Sequence, residues 1–239
     1  MTKRQLLCGI IATTTMVLFS FGLTAPRVFA EEHDSTYEIL RAQEINNPNR
    51  DYLILVNQEN PYQFGSYYDI NLQKDLVFCT NDVDGDVMAA EKAAYLAYTM
   101  LKRDLAEQNI KIGIYDGYRS AADQEYLIDL LRTPTNPMYD VGYTECHTGL
   151  LLSIVVWNPE TNSWAERIDE SETVRKNFET MHKIAPNYGL IVRYPEGKES
   201  ITGLPYRPSN MRYVGTSENA HAIMDNGLTL EEYLAILKK

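Results

Sequence analysis

Two groups of side chains in this 239-residue sequence carry atoms suited to chemistry without any further context. Cys146 and His147 are neighbours, and a thiol beside an imidazole is the pairing that activates a cysteine nucleophile. Adjacent side chains on a strand point to opposite faces, however, so the two would not reach each other. The base would have to be His182 or His221, and neither sits in a motif. The second group is Asp82, Asp84 and Asp86, which open like a calcium loop. The sixth position is Val87 where glycine makes the turn, and the twelfth is Ala93 where a bidentate glutamate is needed. A solvated acidic loop leading into a helix N-terminus is therefore expected. Cys79 and Cys146 would be able to pair in an oxidising compartment, and spacing alone leaves that open.

The composition is that of a globular chain, 44% hydrophobic and 23% charged, which excludes a disordered or fibrous protein. Residues 1–30 read as a secretory signal: Lys3 and Arg4, an apolar run from Leu6 to Leu23, then Val28-Phe29-Ala30 as the cleavage site. An uncleaved membrane anchor is the alternative. The whole chain carries −11; losing Lys3, Arg4 and Arg27 leaves 19 basic residues against 33 acids, a charge of −14. Such a surface disfavours nucleic acid and anionic lipid, and no membrane contact is expected after cleavage. The expected location is extracellular, at the cell wall.

Residues 31–50 read as a loose arm, and 51–239 as one domain. Tyr52–Val56 is expected to be a strand. Met88–Leu105 is expected to be a helix, with Ala94, Ala97, Tyr98, Leu101 and Leu105 on one stripe. Ile110, Ile112 and Ile114 alternate as a half-buried strand does. Ala121–Leu131 and Glu172–Ala185 read as helices, the latter with Val174, Phe178 and Met181 inward; Leu150–Trp157 and Leu190–Tyr194 read as strands. Thr229 with Glu232 forms a capping box for a last helix to Leu237. The irregular alternation points to a single α+β domain.

Several stretches in order resemble a known family. Asp116-Gly117-Tyr118-Arg119-Ser120 with Gln124 resembles the S-G-Y-R-S-x-x-x-Q segment of VanY-type D-alanyl-D-alanine carboxypeptidases. Gly142-Tyr143-Thr144-Glu145-Cys146-His147-Thr148-Gly149-Leu150 is similar to G-x-S-E-H-Q-T-G-L, and Tyr188-Gly189-Leu190-Ile191-Val192-Arg193-Tyr194-Pro195 to Y-G-F-I-x-R-Y-P. Pro208-Ser209-Asn210-Met211-Arg212-Tyr213-Val214-Gly215 resembles P-W-H-x-R-Y-V-G, and the ending from Gly227 to Leu234 also fits. The resemblance implies the hedgehog/D,D-peptidase fold, a small antiparallel sheet flanked by helices. It implies peptidoglycan stem peptides as the ligand class, with Arg119, Ser120 and Gln124 facing the peptide.

It also implies one zinc ion held by His, Asp and His, with a glutamate as base. Carried over position by position, the ligands fall on Cys146, Ser153 and Asn210, and the base falls on Arg207. A hydroxyl and an amide are poor zinc ligands. A guanidinium about 5 Å from a dication at an effective dielectric of ~20 would cost about 7 kcal/mol. Apparent zinc binding at structural sites is worth only ~10–16 kcal/mol. A one-residue slip to His147 would restore one ligand and no base. No zinc and no catalytic residue are therefore expected. The expected molecule is a secreted pseudoenzyme that binds stem peptides or serves as a cell-wall scaffold, with Arg119 and Arg207 as an anion trap for a C-terminal carboxylate. The competing expectation for Arg207 is an internal ion pair with an acid such as Glu145, and for Arg119 one with Asp116. The alternative function is an active zinc D,D-carboxypeptidase with an altered metal site, acting in peptidoglycan remodelling.

Overall fold

The computed structural model describes residues 46–131 and 136–238. Residues 1–30, expected to be an export segment, and residues 31–45 of the arm lie outside the described residues. The last part of that arm is not loose. Asn46 Nδ2 donates to the Gly215 carbonyl at 2.6 Å, and Arg50 Nη2 reaches Asp75 at 2.5 Å, so the chain is fixed before the domain proper begins.

Helix α1 (Tyr67–Asp75) leads into a hairpin of β1 (Leu76–Thr80) and β2 (Val87–Glu91). The expected long helix from Met88 is thus divided: its first residues pair with β1, and α2 (Lys92–Glu107) starts only where Glu91 caps it. The Glu91 carboxylate accepts from the Ala93 and Ala94 amides at 2.8 and 3.0 Å. Asp82, Asp84 and Asp86 lie in or beside the hairpin loop and lead into a strand, not a helix. Strand β3 (Ile112–Asp116), helix α3 (Ala121–Leu131), strand β4 (Leu151–Asn158), the short β5 (Ser163–Ala165) and α4 (Glu172–Ile184) follow. Strand β6 (Leu190–Tyr194), the single turn α5 (Glu199–Thr202), β7 (Arg207–Tyr213), α6 (Ser217–Met224) and α7 (Leu230–Leu237) complete the order. The expected capping box of Thr229 with Glu232 is present.

The main sheet is antiparallel, in the order β3-β4-β7-β6, with β5 against β4. Alternation gives it two faces. Ile112, Ile114, Leu152, Ile154, Val156, Leu190, Val192 and Met211 point to one side and bury against the α2 stripe and against Val174, Phe178 and Met181 of α4. Removing one such side chain to alanine costs ~2–5 kcal/mol in cores of this kind.

Tyr52–Val56 is not a strand. The Asp51 carboxylate accepts from the Leu53 amide at 2.9 Å and bends the chain, and the Ile54 carbonyl accepts from Arg212 Nη2 at 2.8 Å. The apolar side chains still reach the interior, with Tyr52 and Val56 buried, but the Leu53 amide and the Ile54 carbonyl are met by side chains and not by a neighbouring strand.

The opposite face of the sheet carries charge. Glu145 opens a 3-10 turn, Glu145–Thr148, that leads into β4. Its carboxylate accepts from Arg193 Nε at 2.8 Å and from Arg212 Nε at 3.1 Å, and all three side chains are fully buried. Arg193 also reaches Glu231 on α7 at 2.7 Å. The turn ends at Gly149, whose φ of 69° only glycine adopts without strain. Removing the carboxylate would leave two buried guanidiniums facing each other. Glu145→Ala is therefore expected to lose about 3–5 kcal/mol in denaturant unfolding. A loss under about 1 kcal/mol would show that the pair of arginines does not need it.

Candidate functional site

The charged face also gathers the residues singled out in the sequence. A register shift between Ile114 and Asp116 brings Asp116 opposite Ser153, and Ser153 is in turn opposite Asn210. Asp116, Ser153 and Asn210 thus form one row across β3, β4 and β7. Cys146, in the 3-10 turn beside this row, accepts at its carbonyl from the Arg119 amide at 3.2 Å. Gly117 lets the chain pass the hairpin: a Cβ there would sit 2.6 Å from the Ala89 carbonyl oxygen.

The side chains form a chain of bonds across the site. Arg119 pairs with Asp116 and donates from Nη1 to Gln124 Oε1 at 3.1 Å. Gln124, buried, donates from Nε2 to the Tyr139 carbonyl at 2.6 Å. The Tyr139 hydroxyl accepts from Arg207 Nη2, and the Arg207 guanidinium lies 5.3 Å from the Tyr139 ring centre. Arg119, Gln124 and Arg207 are therefore brought together. Ser120 is not: its hydroxyl donates to Asp123 at 2.6 Å and accepts from the Asp123 amide, opening α3 as a cap. Tyr139 had no signal in the sequence beyond the Asn136-Pro137 start of its short turn, where Asn136 caps. Asp116 was visible only as a carboxylate where a hydroxyl is usual.

The two arginines differ in one respect. Arg50, Arg103, Arg119, Arg167, Arg175, Arg193 and Arg212 each have a carboxylate within 4 Å. Arg207 has none among the described residues; its Nε is buried without a hydrogen-bond partner, and its one bonded neighbour is a neutral hydroxyl. The expected internal pair with Glu145 is not formed, because Arg193 and Arg212 already share that carboxylate.

Cys146 and His147 lie on the 3-10 turn and not on a strand. His147 Nδ1 bonds the Arg119 carbonyl at 2.7 Å, and its Nε2 accepts from the Gly142 amide at 3.1 Å. Both ring nitrogens are used by the neutral imidazole, and burial pushes its pKa down. The Cys146 thiol is pushed up by burial, which the nearby Arg119 charge only partly opposes, so it stays protonated. Cys79 and Cys146 are both free thiols. His182 Nε2 donates to the Pro208 carbonyl at 2.8 Å, and His221 bonds Asp225 and Asn187 on the surface. The donors nearest the row are one thiol, one hydroxyl, one amide and a carboxylate engaged by Arg119. Among the described residues no group of three or more His, Cys, Asp or Glu side chains is placed to hold a metal ion. This donor set does not fit a His-Asp-His zinc centre.

Comparison with known proteins supplies the rest. A family model described as VanY, D-alanyl-D-alanine carboxypeptidase, matches residues 88–216. The chain is 51% identical over 157 residues to the bifunctional D-Ala-D-Ala dipeptidase and D-Ala-D-Ala carboxypeptidase VanXYC of Enterococcus gallinarum, covering 63% of this chain and 79% of that one. It is 27% identical over 191 residues to a D-alanyl-D-alanine carboxypeptidase of Enterococcus faecium, covering 78% of this chain. It spans only 58% of that relative's length. Among solved structures, the LD-carboxypeptidase LdcB, described for its recognition of peptidoglycan, superposes with a TM-score of 0.61 at 26% identity over 77% of this chain and 86% of that one.

The buried His147 and the part-buried His182 make stability pH-dependent. Burial lowers the His182 pKa from its ordinary 6.5 to about 4. The unfolded chain therefore takes up a proton there from about pH 6.5 downward that the folded chain refuses. Stability is fully present above about pH 6.5 and is lost as pH falls toward about 4, by roughly 3 kcal/mol for His182, with His147 acting in the same direction. His182→Gln, which keeps a donor for Pro208, is expected to flatten the slope of unfolding free energy between about pH 6.5 and about pH 4.5. An unchanged slope would remove His182 from this account.

Proposed function

Because this chain belongs to the VanY D-alanyl-D-alanine carboxypeptidase family, we propose that it is a secreted member that holds the C-terminal carboxylate of a peptidoglycan stem peptide without hydrolysing it. The reading is carried by Arg207. It stands where the family resemblance puts the base, it cannot accept a proton near neutral pH, and it is the one described arginine with no carboxylate beside it. A half-buried guanidinium that no carboxylate of the described residues neutralises is suited to a ligand carboxylate, which accepts charge-assisted N–H bonds from it. Asn210, further along β7 from Arg207, and Ser153 opposite it would supply neutral hydrogen bonds to the terminal residue.

Arg119, committed to Asp116 and Gln124, fits the role of a fixed wall better than that of a second anion clamp. Gln124 in turn anchors the backbone of Tyr139, whose hydroxyl orients Arg207. Export to the cell wall rests on the signal pattern of residues 1–30.

Two outcomes are expected. The purified protein should hold no stoichiometric zinc by elemental analysis and release no D-alanine from stem pentapeptides. A chelator-sensitive rate, lost in Cys146→Ala, would instead restore the reading as an active enzyme with an altered metal site. Stem peptides with a free C-terminus should bind, and Arg207→Ala should weaken them roughly 10- to 100-fold, the worth of a charge-assisted pair of about 1.5–3 kcal/mol. Equal binding of free and amidated peptides in titration calorimetry would sink the carboxylate reading.

A further inference from the structure

Both edge strands of the main sheet are engaged at their centre. On β3 the Ile114 amide donates to Asp82 Oδ2 at 2.9 Å, and the Ile114 carbonyl accepts from the Asp82 amide at 2.8 Å. On β6 the Val192 amide donates to the Met224 sulfur at 3.4 Å. The β1–β2 hairpin is built differently. The far edge of β2 is bonded: the Tyr118 amide donates to the Ala89 carbonyl at 2.7 Å, and the Glu91 amide donates to the Gly149 carbonyl at 2.9 Å. These two bonds fix the phase of the ladder. Ala89 and Glu91 turn their backbone groups away from β1, so Phe78 and Leu76, which face them, turn theirs away from β2. Thr80 follows the same alternation. Among the described residues β1 pairs with β2 alone, and no hydrogen bond reaches the Phe78 or Thr80 backbone from the other side.

This open edge is apart from the carboxylate site. Tyr118 lies on the far side of β2, so two strand spacings, about 10 Å, separate it from β1. Edge strands in natural proteins are commonly blunted by charge, proline or a bulge. Leu76–Thr80 has none of these, and its register with β2 is regular from end to end. At its centre Phe78 is 76% exposed, and Val87, on the same face of β2, equally so.

The strand is its own complement. Run antiparallel against a copy of itself about Phe78, it sets Leu76 against Thr80 and Val77 against Cys79 of the second copy, and no charge meets a charge. The outward groups of positions 76, 78 and 80 then face one another as hydrogen-bonded pairs. The chain as a whole carries 33 acidic against 22 basic residues, so two copies repel over most approaches, and an uncharged edge is where they can meet. We infer that β1 is an interface with a second copy of this chain, the two β1 strands pairing antiparallel across a two-fold axis at Phe78 to make one four-stranded sheet. The paired strands are short, so the dimer is weak and concentration-dependent. It is independent of the carboxylate reading, because no residue of it touches Arg207.

Sedimentation velocity of the purified chain between about 1 µM and about 1 mM is expected to show the average mass rising from that of one chain toward that of two. Phe78→Lys and Phe78→Glu each set like charges face to face across the axis, and each is expected to weaken association roughly tenfold or more. Thr80→Pro should do the same, because it removes an outward N–H that the pairing with β2 does not use. All three changes fall on exposed side chains, and thermal melts confirm folding of each variant. Mixing the Phe78→Lys and Phe78→Glu chains should restore the dimer, which the loss of an apolar side chain alone cannot explain. A mass of one chain at the highest concentration, dimers that persist undiminished in both charge variants, or no rescue on mixing would overturn the inference.

Discussion

One carboxylate organises the molecule. Glu145 is shared by Arg193 on β6 and Arg212 on β7, and through them it reaches Glu231 on α7 and the Ile54 carbonyl at the start of the domain. Charges buried this completely are tolerated only when every one is matched. The requirement fixes the backbone of the 3-10 turn on which Glu145 sits. That turn carries Cys146 and His147, and it ends at the left-handed Gly149 that feeds β4. The position of the site relative to the sheet therefore follows from an ion cluster that takes no part in it.

The same cluster explains what was hard to read in the sequence. Helix α4 was legible from its apolar stripe and strands β4 and β6 from their nearly continuous apolar runs, and the helix starts from local caps: Ser171 for α4, Thr229 with Glu232 for α7. Tyr52–Val56 looked like a strand because its apolar residues are inward, yet nothing in a single sequence reveals that Arg212 will occupy the Ile54 carbonyl. The Val87–Glu91 strand was absorbed into the following helix because alanines at 89, 90, 93 and 94 suit either. The switch is made by Glu91, a capping residue that is unusual in that place. The antiparallel fold itself was legible from ordered landmarks.

At the site, residue type was legible and partnership was not. Arg119, Ser120 and Gln124 matched a peptide-facing motif, but each is occupied within the fold. Arg119 holds Asp116, Ser120 caps α3, and Gln124 secures Tyr139. Their presence would follow from folding alone and carries little weight for a ligand. Arg207 reads in the opposite way. By sequence it falls where the family resemblance puts the base, and it was expected to share an anion trap with Arg119. The distribution of acids around the other arginines, and Glu145's prior engagement, make it stand apart.

Burial of the Glu145 cluster also sets how the molecule responds to its ionic surroundings. Dissolved ions act on charges that they can approach, and at about 0.15 M they damp exposed interactions beyond about 8 Å. The surface pairs Arg167–Asp169 and Arg175–Glu172 are open to them, whereas the Glu145, Arg193 and Arg212 side chains have no exposed area at all. A rise in salt therefore loosens the rim of the molecule and leaves its centre untouched. The interior cluster keeps its geometry through changes of ionic strength that damp the long-range attractions of the surface.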